Sequence, residues 1–311
     1  MIKRKAFEIQ YATMLEDVLI NGIDTSDRTG TGRRRLPNVR FTIDLTDSNF
    51  EPKDTFLLPV LNGKKVYPLM GVKEMNWMLS GDTNIKALEE NHVTYWREWA
   101  DENGDLGPVY GKQFRDMNGA DQLAYISDKL VNDPMSTQML INLWNAGDLK
   151  DMALPPCHFS YFFQALPDKD QDTLILNLHL VQRSADAFLG VPYNAIMASY
   201  FLQLMSKAFG FKVVYVYWTC HDFHIYLNHF EAVDKYLFNV SEDKFNTVGE
   251  FTRLVLDKPS MLILDDKPLD TVNPVSKLDQ FFRYCFEYHF SNMKVTLPGF
   301  VYDPIPADIA V

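Results

Sequence analysis

The sequence is poor in cysteine, in positive charge and in long apolar runs, and each shortage excludes something. Three cysteines, Cys157, Cys220 and Cys285, stand far apart in 311 residues. So sparse and odd a set is neither a disulfide framework nor a zinc-binding pattern; it implies a reducing compartment and at least one free thiol. Thirty Lys and Arg face 41 Asp and Glu, a net charge of −11. So acidic a chain does not wrap a nucleic-acid polymer, because neutralising phosphates needs clustered cations. A small anion in a local basic pocket is still allowed. No apolar run approaches the ~18 residues of a membrane span. The basic start (MIKRK) leads into a polar, mixed stretch instead of an apolar signal segment. Repeats, linkers and low-complexity tracts are absent as well. The expectation is a soluble cytoplasmic protein.

What is present is an ordinary globular mix, 47% hydrophobic and 14% aromatic. At roughly 150 residues per domain, the length suits one large domain or two small ones. Apolar residues at helical spacing predict a helix over 6–20, stopped by Asn21-Gly22. DRTGTG at 27–32 is a Gly-punctuated turn, and 39–45 is strand-like. Helices are predicted over 71–79, 120–132 and 229–237, and a long helix, apolar nearly all round, over 192–209. Strands are predicted over 139–144, 159–165, 174–181 and 213–218, with a polar hairpin loop at 167–172. Residues 258–277, punctuated by Pro and Asp, are unassigned. The preferred architecture is α+β, one domain over 1–311.

Four segments carry chemistry. The first is LPPCH, ending in Cys157-His158. A lone cysteine is most often a small buried hydrophobe. Here two prolines stiffen its approach, a His follows, and its strand pairs with a segment ending Gln182-Arg183-Ser184-Ala185-Asp186. A cationic Arg near a thiol favours the nucleophilic thiolate. The second is QRSADAFLGVPYN, 182–194, which a bland reading makes a solvated helix-capping loop. As a pocket, Arg183 and Ser184 suit a phosphate, and the Asn194 amide matches a uracil-like edge. The third is Asp222 to His229, where His224 and Tyr226 share one face of a strand. A metal site of His221, Asp222, His224 and His229 would need convergence that sequence cannot show. The fourth is Glu74, flanked by Met70, Met75, Trp77, Met78 and Leu79. If partly buried, its carboxyl pKa is raised and it can relay protons.

In this order the segments resemble the thymidylate synthase family. The resemblance runs through DRTGTG, SGDTNI, WREWADENGDLGPVYGKQFR, Trp144-Asn145, MALPPCH, QRSAD, FLG, PYN and HIYLNH to Tyr302-Asp303-Pro304 and the C-terminal Ala310-Val311. It implies a large mixed sheet flanked by helices, a back-to-back homodimer and folate-dependent alkylation at C5 of a deoxypyrimidine monophosphate, with no metal. It further implies that Cys157 adds to C6 of the base and Glu74 organises a proton relay, with Asp186 also in the catalytic set. Arg183 would activate the thiol and bind phosphate with Arg28 and Ser184. His224 and Tyr226 would hold the ribose hydroxyl, and Asn194, Gln182 and His158 would border the base. Trp96, Trp99, Leu154, Asp186, Gly190 and Val311 would face 5,10-methylenetetrahydrofolate.

The sequence also departs from the family. An Arg-Arg pair that reaches across the dimer to the phosphate is replaced by Ser136-Thr137-Gln138. Each charge-assisted bond is worth about 1.5–3 kcal/mol, so compensation is expected. Arg33, Arg34 and Arg35, directly after DRTGTG, are the candidates; a solvated strand start is the bland reading. Two extra residues follow Asn194 in PYNAIMASY, Cys220-His221 replace a Gly pair, and Arg97 replaces an Asp. Asn194 favours dUMP over dCMP, because cytosine-specific relatives tend to carry Asp there. Methylation to dTMP is the leading expectation, and the alternative is water capture giving a hydroxymethyl nucleotide, as in modified-base phage enzymes. An alternative of another class is a catalytically silent nucleotide- or RNA-binding homologue.

Overall fold

The computed structural model describes residues 7–46, 55–61, 63–169, 172–241, 251–256 and 293–296. The expectations for Val311, Cys285 and 258–277 lie outside these residues.

The opening helix, α1 (Phe7–Asn21), buries Phe7, Tyr11, Leu15 and Val18, the stripe its spacing predicts. A short strand, β1 (Ile23–Thr25), leads through the DRTGTG turn to β2 (Arg33–Asp44). The turn's Gly32 has φ +78°, a conformation that disfavours any side chain. After β3 (Thr55–Pro59) comes α2 (Pro68–Ser80), which starts on a proline and stops at Gly81, left-handed with φ 88°. Three helices follow, α3 (Lys86–Glu90), α4 (Tyr110–Asp116) and α5 (Gln122–Asn132). Asp121 caps α5 by accepting the Ala124 N–H at 2.8 Å. Strands β4 (Leu140–Asn142), β5 (His158–Pro167) and β6 (Leu174–Asp186) precede α6 (Gly190–Phe209). Then come β7 (Lys212–Tyr226), a 3₁₀ turn Leu227–His229, α7 (Phe230–Ser241), β8 (Phe251–Leu256) and β9 (Met293–Thr296).

The main sheet is six-stranded, in the order β1-β2-β7-β6-β5-β4. Only β6 and β7 run parallel, joined by the α6 crossover; the other neighbours are antiparallel. A smaller sheet has the order β3-β8-β9. The fold is therefore α+β, a mixed sheet flanked by helices. Phe41 and Ile43 of β2, Leu178 and Leu180 of β6, and Val216 and Trp218 of β7 point inward to the core. Helix α6 is buried on nearly every side, as expected for a central helix.

Three boundaries differ from the sequence expectation in ways that matter. β2 begins at Arg33, six residues before the expected start at 39. Pro37 and the left-handed Asn38 (φ 55°) interrupt the local strand pattern, yet pairing with β7 continues on both sides of them. β6 and β7 run on to Asp186 and Tyr226, so QRSAD is strand and not a capping loop. These extensions bring the ends of β2, β7, β6 and β5 together: Arg35 pairs with His224, Asp186 with His224, and His158 with Gln182.

Candidate active site

At those strand ends lies a cavity of about 570 Å³, a size suited to a small-molecule ligand. Cys157, Arg183, Glu74 and Asp186 line it. So do Arg28, Gln182, Ser184, Asn194, His158, His224, Tyr226 and Arg33. Trp96, Trp99, Leu154 and Gly190 line it as well. Residues spread over more than 160 positions thus converge on one space.

Cys157 sits immediately before β5. Its N–H donates to the Tyr110 hydroxyl at 2.7 Å, and the His158 N–H donates to the same oxygen at 3.3 Å. The Arg183 N–H donates to the Cys157 carbonyl at 2.7 Å. The Arg183 guanidinium donates to the carbonyls of Pro156 (3.1 Å) and Pro155 (3.4 Å), stacks over Trp144, and brings Nη2 to 3.9 Å from the Cys157 sulfur. The two prolines thus do more than stiffen the chain: their carbonyls aim the cation. Burial pushes the Cys157 thiol above its ordinary pKa; Arg183 opposes the rise, and Asp186 and Asp222 add to it. Burial thus works against the expected thiolate, and one guanidinium offsets it only in part.

Glu74 is 8% exposed, in agreement with the apolar neighbours read from sequence. The Trp96 Nε1–H donates to its Oε1 at 2.8 Å and the Tyr95 hydroxyl donates to Oε2. Burial raises the Glu74 pKa, and these two donors partly offset it. Trp96 meets Trp99 edge-on at 5.9 Å and Tyr110 at 6.3 Å, forming an aromatic wall.

The opposite end is polar. Asp222 accepts from Arg35 Nε at 2.7 Å and from Ser184 Oγ at 3.2 Å, and lies 3.4 Å from Arg33 Nη1. Burial alone would raise the Asp222 pKa, but the Arg35 hydrogen bond and the His224 and Arg33 charges bring it below the ordinary carboxylate value. Asp27 Oδ1 accepts from the Thr29 N–H and hydroxyl, shaping the loop that presents Arg28. The Asp186 carboxylate accepts the N–H groups of Phe188 and Leu189 at 2.9 and 3.1 Å and so fixes the turn into α6. Beneath that turn, Lys64 donates to the Phe188 carbonyl at 2.5 Å; burial lowers its pKa to about 8.

One site expectation is corrected. Arg34 does not reach the cavity: it donates to Asp24 at 2.6 and 3.0 Å and to the Leu19 carbonyl at 2.8 Å, and lies over Phe230. Side chains alternate along a strand, so Arg33 and Arg35 face one side and Arg34 the other. Thr137 and Gln138 lie exposed on this chain's surface, with Gln138 accepting from the Tyr125 hydroxyl. Helix α6 runs unbroken through PYNAIMASY and carries Met197 into the cavity one turn after Asn194. Among the described residues no group of three or more His, Cys, Asp or Glu is arranged to hold a metal.

Sequence reasoning missed Tyr95 and Tyr110. No local signal marks either, since their partners are 21 and 47 positions away. Several buried polar atoms of cavity residues have no partner among the described residues: Arg33 Nε, Gln182 Oε1, His224 Nε2 and Trp99 Nε1. Such unspent capacity is what a bound polar ligand satisfies.

The family model for thymidylate synthase matches residues 9–260, most of the chain. The protein belongs to the thymidylate synthase family. Membership makes it an enzyme of the C1-transferase kind, in a family that acts on dUMP and uses methylenetetrahydrofolate as co-substrate. No helix among the described residues is long and apolar enough to cross a membrane.

Proposed function

We propose that the protein methylates dUMP at C5 to give dTMP. The observation that carries the reading is that Cys157, Arg183, Glu74 and Asn194 border one cavity, with cations at its polar end and tryptophans along its wall. Arg28, Arg33, Arg183 and Ser184 bind the phosphate, and His224 and Tyr226 the ribose. Asn194 reads the base, beside Gln182 and His158. The Cys157 sulfur adds to C6, and the electron pair of the C5–C6 bond moves to C5, stabilised through O4 by hydrogen-bond donors. Glu74 handles protons at this end of the base, as a buried carboxyl with a raised pKa can. C5 bonds to the one-carbon unit and its proton passes to a base of the site; once hydride reduction has completed the methyl group, the electron pair at C5 re-forms the C5–C6 double bond and the sulfur leaves C6 as the thiolate.

The wall of Trp96, Trp99, Leu154 and Gly190 fits a folate ring system: it is aromatic, leaves room at a residue with no side chain, and carries the unpartnered Trp99 Nε1. Bound there, 5,10-methylenetetrahydrofolate supplies the one-carbon unit and the hydride that completes a methyl group. The residues around it exclude water, which protects reactive groups from hydrolysis.

Incubation with dUMP and methylenetetrahydrofolate tests the reading: dihydrofolate absorbance must appear with dTMP. Hydroxymethylation is the second reading, motivated by the sequence departures beside Asn194, where Met197 lines the wall; a hydroxymethyl product without dihydrofolate selects it. Tritium release from C5 that vanishes in Cys157→Ser eliminates a silent nucleotide- or RNA-binding homologue.

The reading includes a cytoplasmic homodimer joined through the outer face of the main sheet. Supporting it, Phe162, His179, Tyr217 and Tyr215 form an aromatic row there with ring spacings of 4.8–5.7 Å. Tyr217→Asp is expected to sediment as a monomer.

A further inference from the structure

We propose that Tyr161 is a specificity-determining positioning residue: its hydroxyl fixes the His158 tautomer, the tautomer fixes the orientation of the Asn194 amide, and that orientation favours a uracil edge over a cytosine edge. The inference rests on the reading of the cavity as a deoxypyrimidine monophosphate site.

Tyr161 stands behind the cavity wall and is itself fully buried, with its ring against Phe114 and Phe201. Its hydroxyl is 2.6 Å from His158 Nδ1. Among the described residues that nitrogen is the hydroxyl's one hydrogen-bond partner. Were the hydroxyl to accept from an Nδ1–H, its own proton would be left in an apolar surrounding without an acceptor, the costly arrangement for a buried donor. The phenol therefore donates, Nδ1 accepts, and the proton of the neutral imidazole sits on Nε2. Burial keeps the ring neutral, with its pKa pushed down to about 4.

His158 and Asn194 border the same cavity, and the Asn194 side chain acts as a hydrogen-bonding neighbour of the imidazole. With Nδ1 engaged by Tyr161, the group it offers is Nε2–H, which only the amide oxygen accepts. The amide nitrogen is then turned away from the imidazole; Nδ2 lies 3.6 Å from where a Gly190 side-chain carbon would stand. The order of donor and acceptor that Asn194 presents to the cavity is thereby set. A uracil edge offers an N3–H donor and an O4 acceptor, and a cytosine edge the reverse, an N3 acceptor and an N4–H donor. One amide matches both bases only by turning over. Turning it over sets the amide N–H against Nε2–H, donor against donor, unless the imidazole moves its proton to Nδ1. Tyr161 opposes that move. A phenol that never touches the substrate thus penalises the wrong base.

Tyr161→Phe keeps the ring and removes the hydroxyl. Calorimetric titration of full-length wild type and variant with dUMP and with dCMP measures the preference, and nitrogen NMR of the imidazole reports the tautomer. The expected result is a single Nε2–H tautomer and a dUMP preference in wild type. In the variant the two tautomers mix and the ratio of affinities falls at least about tenfold. Equal weakening for both nucleotides, with the ratio unchanged, is what a merely structural role produces and overturns the proposal alone. A wild-type Nδ1–H tautomer overturns it even if the variant fails to fold. If wild type binds neither nucleotide, the proposal falls together with the site reading beneath it.

Discussion

Arg183 grips Cys157 twice: its main-chain N–H donates to the Cys157 carbonyl at 2.7 Å, and its guanidinium comes to 3.9 Å from the sulfur. The cation is held by the carbonyls of Pro155 and Pro156, so it is anchored to the same segment that carries the thiol. Proximity nevertheless loses to burial, and the thiol pKa stands above its ordinary value.

The pH dependence of alkylation follows. An acid with a raised pKa stays protonated through neutral pH, so the rate of iodoacetamide modification of Cys157 in the unliganded protein climbs into the alkaline range. Arg183→Gln removes the opposing influence and slows modification further at each pH. A rate already at its plateau at neutrality would show that the thiolate is the resting form.

The three clustered arginines are separable. Arg33→Ala is expected to weaken monophosphate binding by about 10- to 100-fold, the value of one charge-assisted hydrogen bond. Arg34→Ala leaves it unchanged, since that side chain pairs with Asp24 on the other face. Isothermal titration of both variants decides, and equal losses would contradict the strand alternation.

Tyr95 and Trp96 each donate to one oxygen of Glu74. Both bonds lower a pKa that burial raises, so Tyr95→Phe moves it further up. If Glu74 works ionised, the acid limb of the kcat profile shifts to higher pH in that variant. An unshifted limb with reduced kcat would separate Tyr95 from Glu74's protonation.

His158 makes stability depend on pH. Its folded pKa is lowered from 6.5 to about 4. Between those values the unfolded chain binds more protons than the folded one, so stability is present above 6.5 and is lost as pH falls towards 4. The loss from this residue is about 3 kcal/mol at the acid end. Urea unfolding across that range should steepen for wild type relative to His158→Gln; parallel curves would show that the ring is not the source.

Much of this site was legible because its chemistry is written in contiguous motifs. LPPCH, QRSAD, PYN and HIYLNH each keep their functional residues on one strand end or one helix turn, and Glu74 was marked by the apolar residues around it. Tyr95, Tyr110 and Tyr161 were not legible, because a phenol in a core segment looks like any other aromatic until its partner is known. The start of β2 was obscured by Pro37 and Asn38, whose local preferences argue against a strand that pairing with β7 nonetheless sustains.

The sequence by itself determined the class of chain and the helices and strands with strong periodicity, which are local properties carried by spacing and side-chain type; its resemblance to a family pointed to most of the residues that gather at the cavity. Tertiary structure alone decided that Arg33 faces the cavity while Arg34 faces Asp24, and that the Cys157 thiol is raised despite Arg183. It also decided which hydroxyl holds His158. Each depends on strand register or on desolvation, and both are set by groups that are distant in the chain and adjacent only after folding.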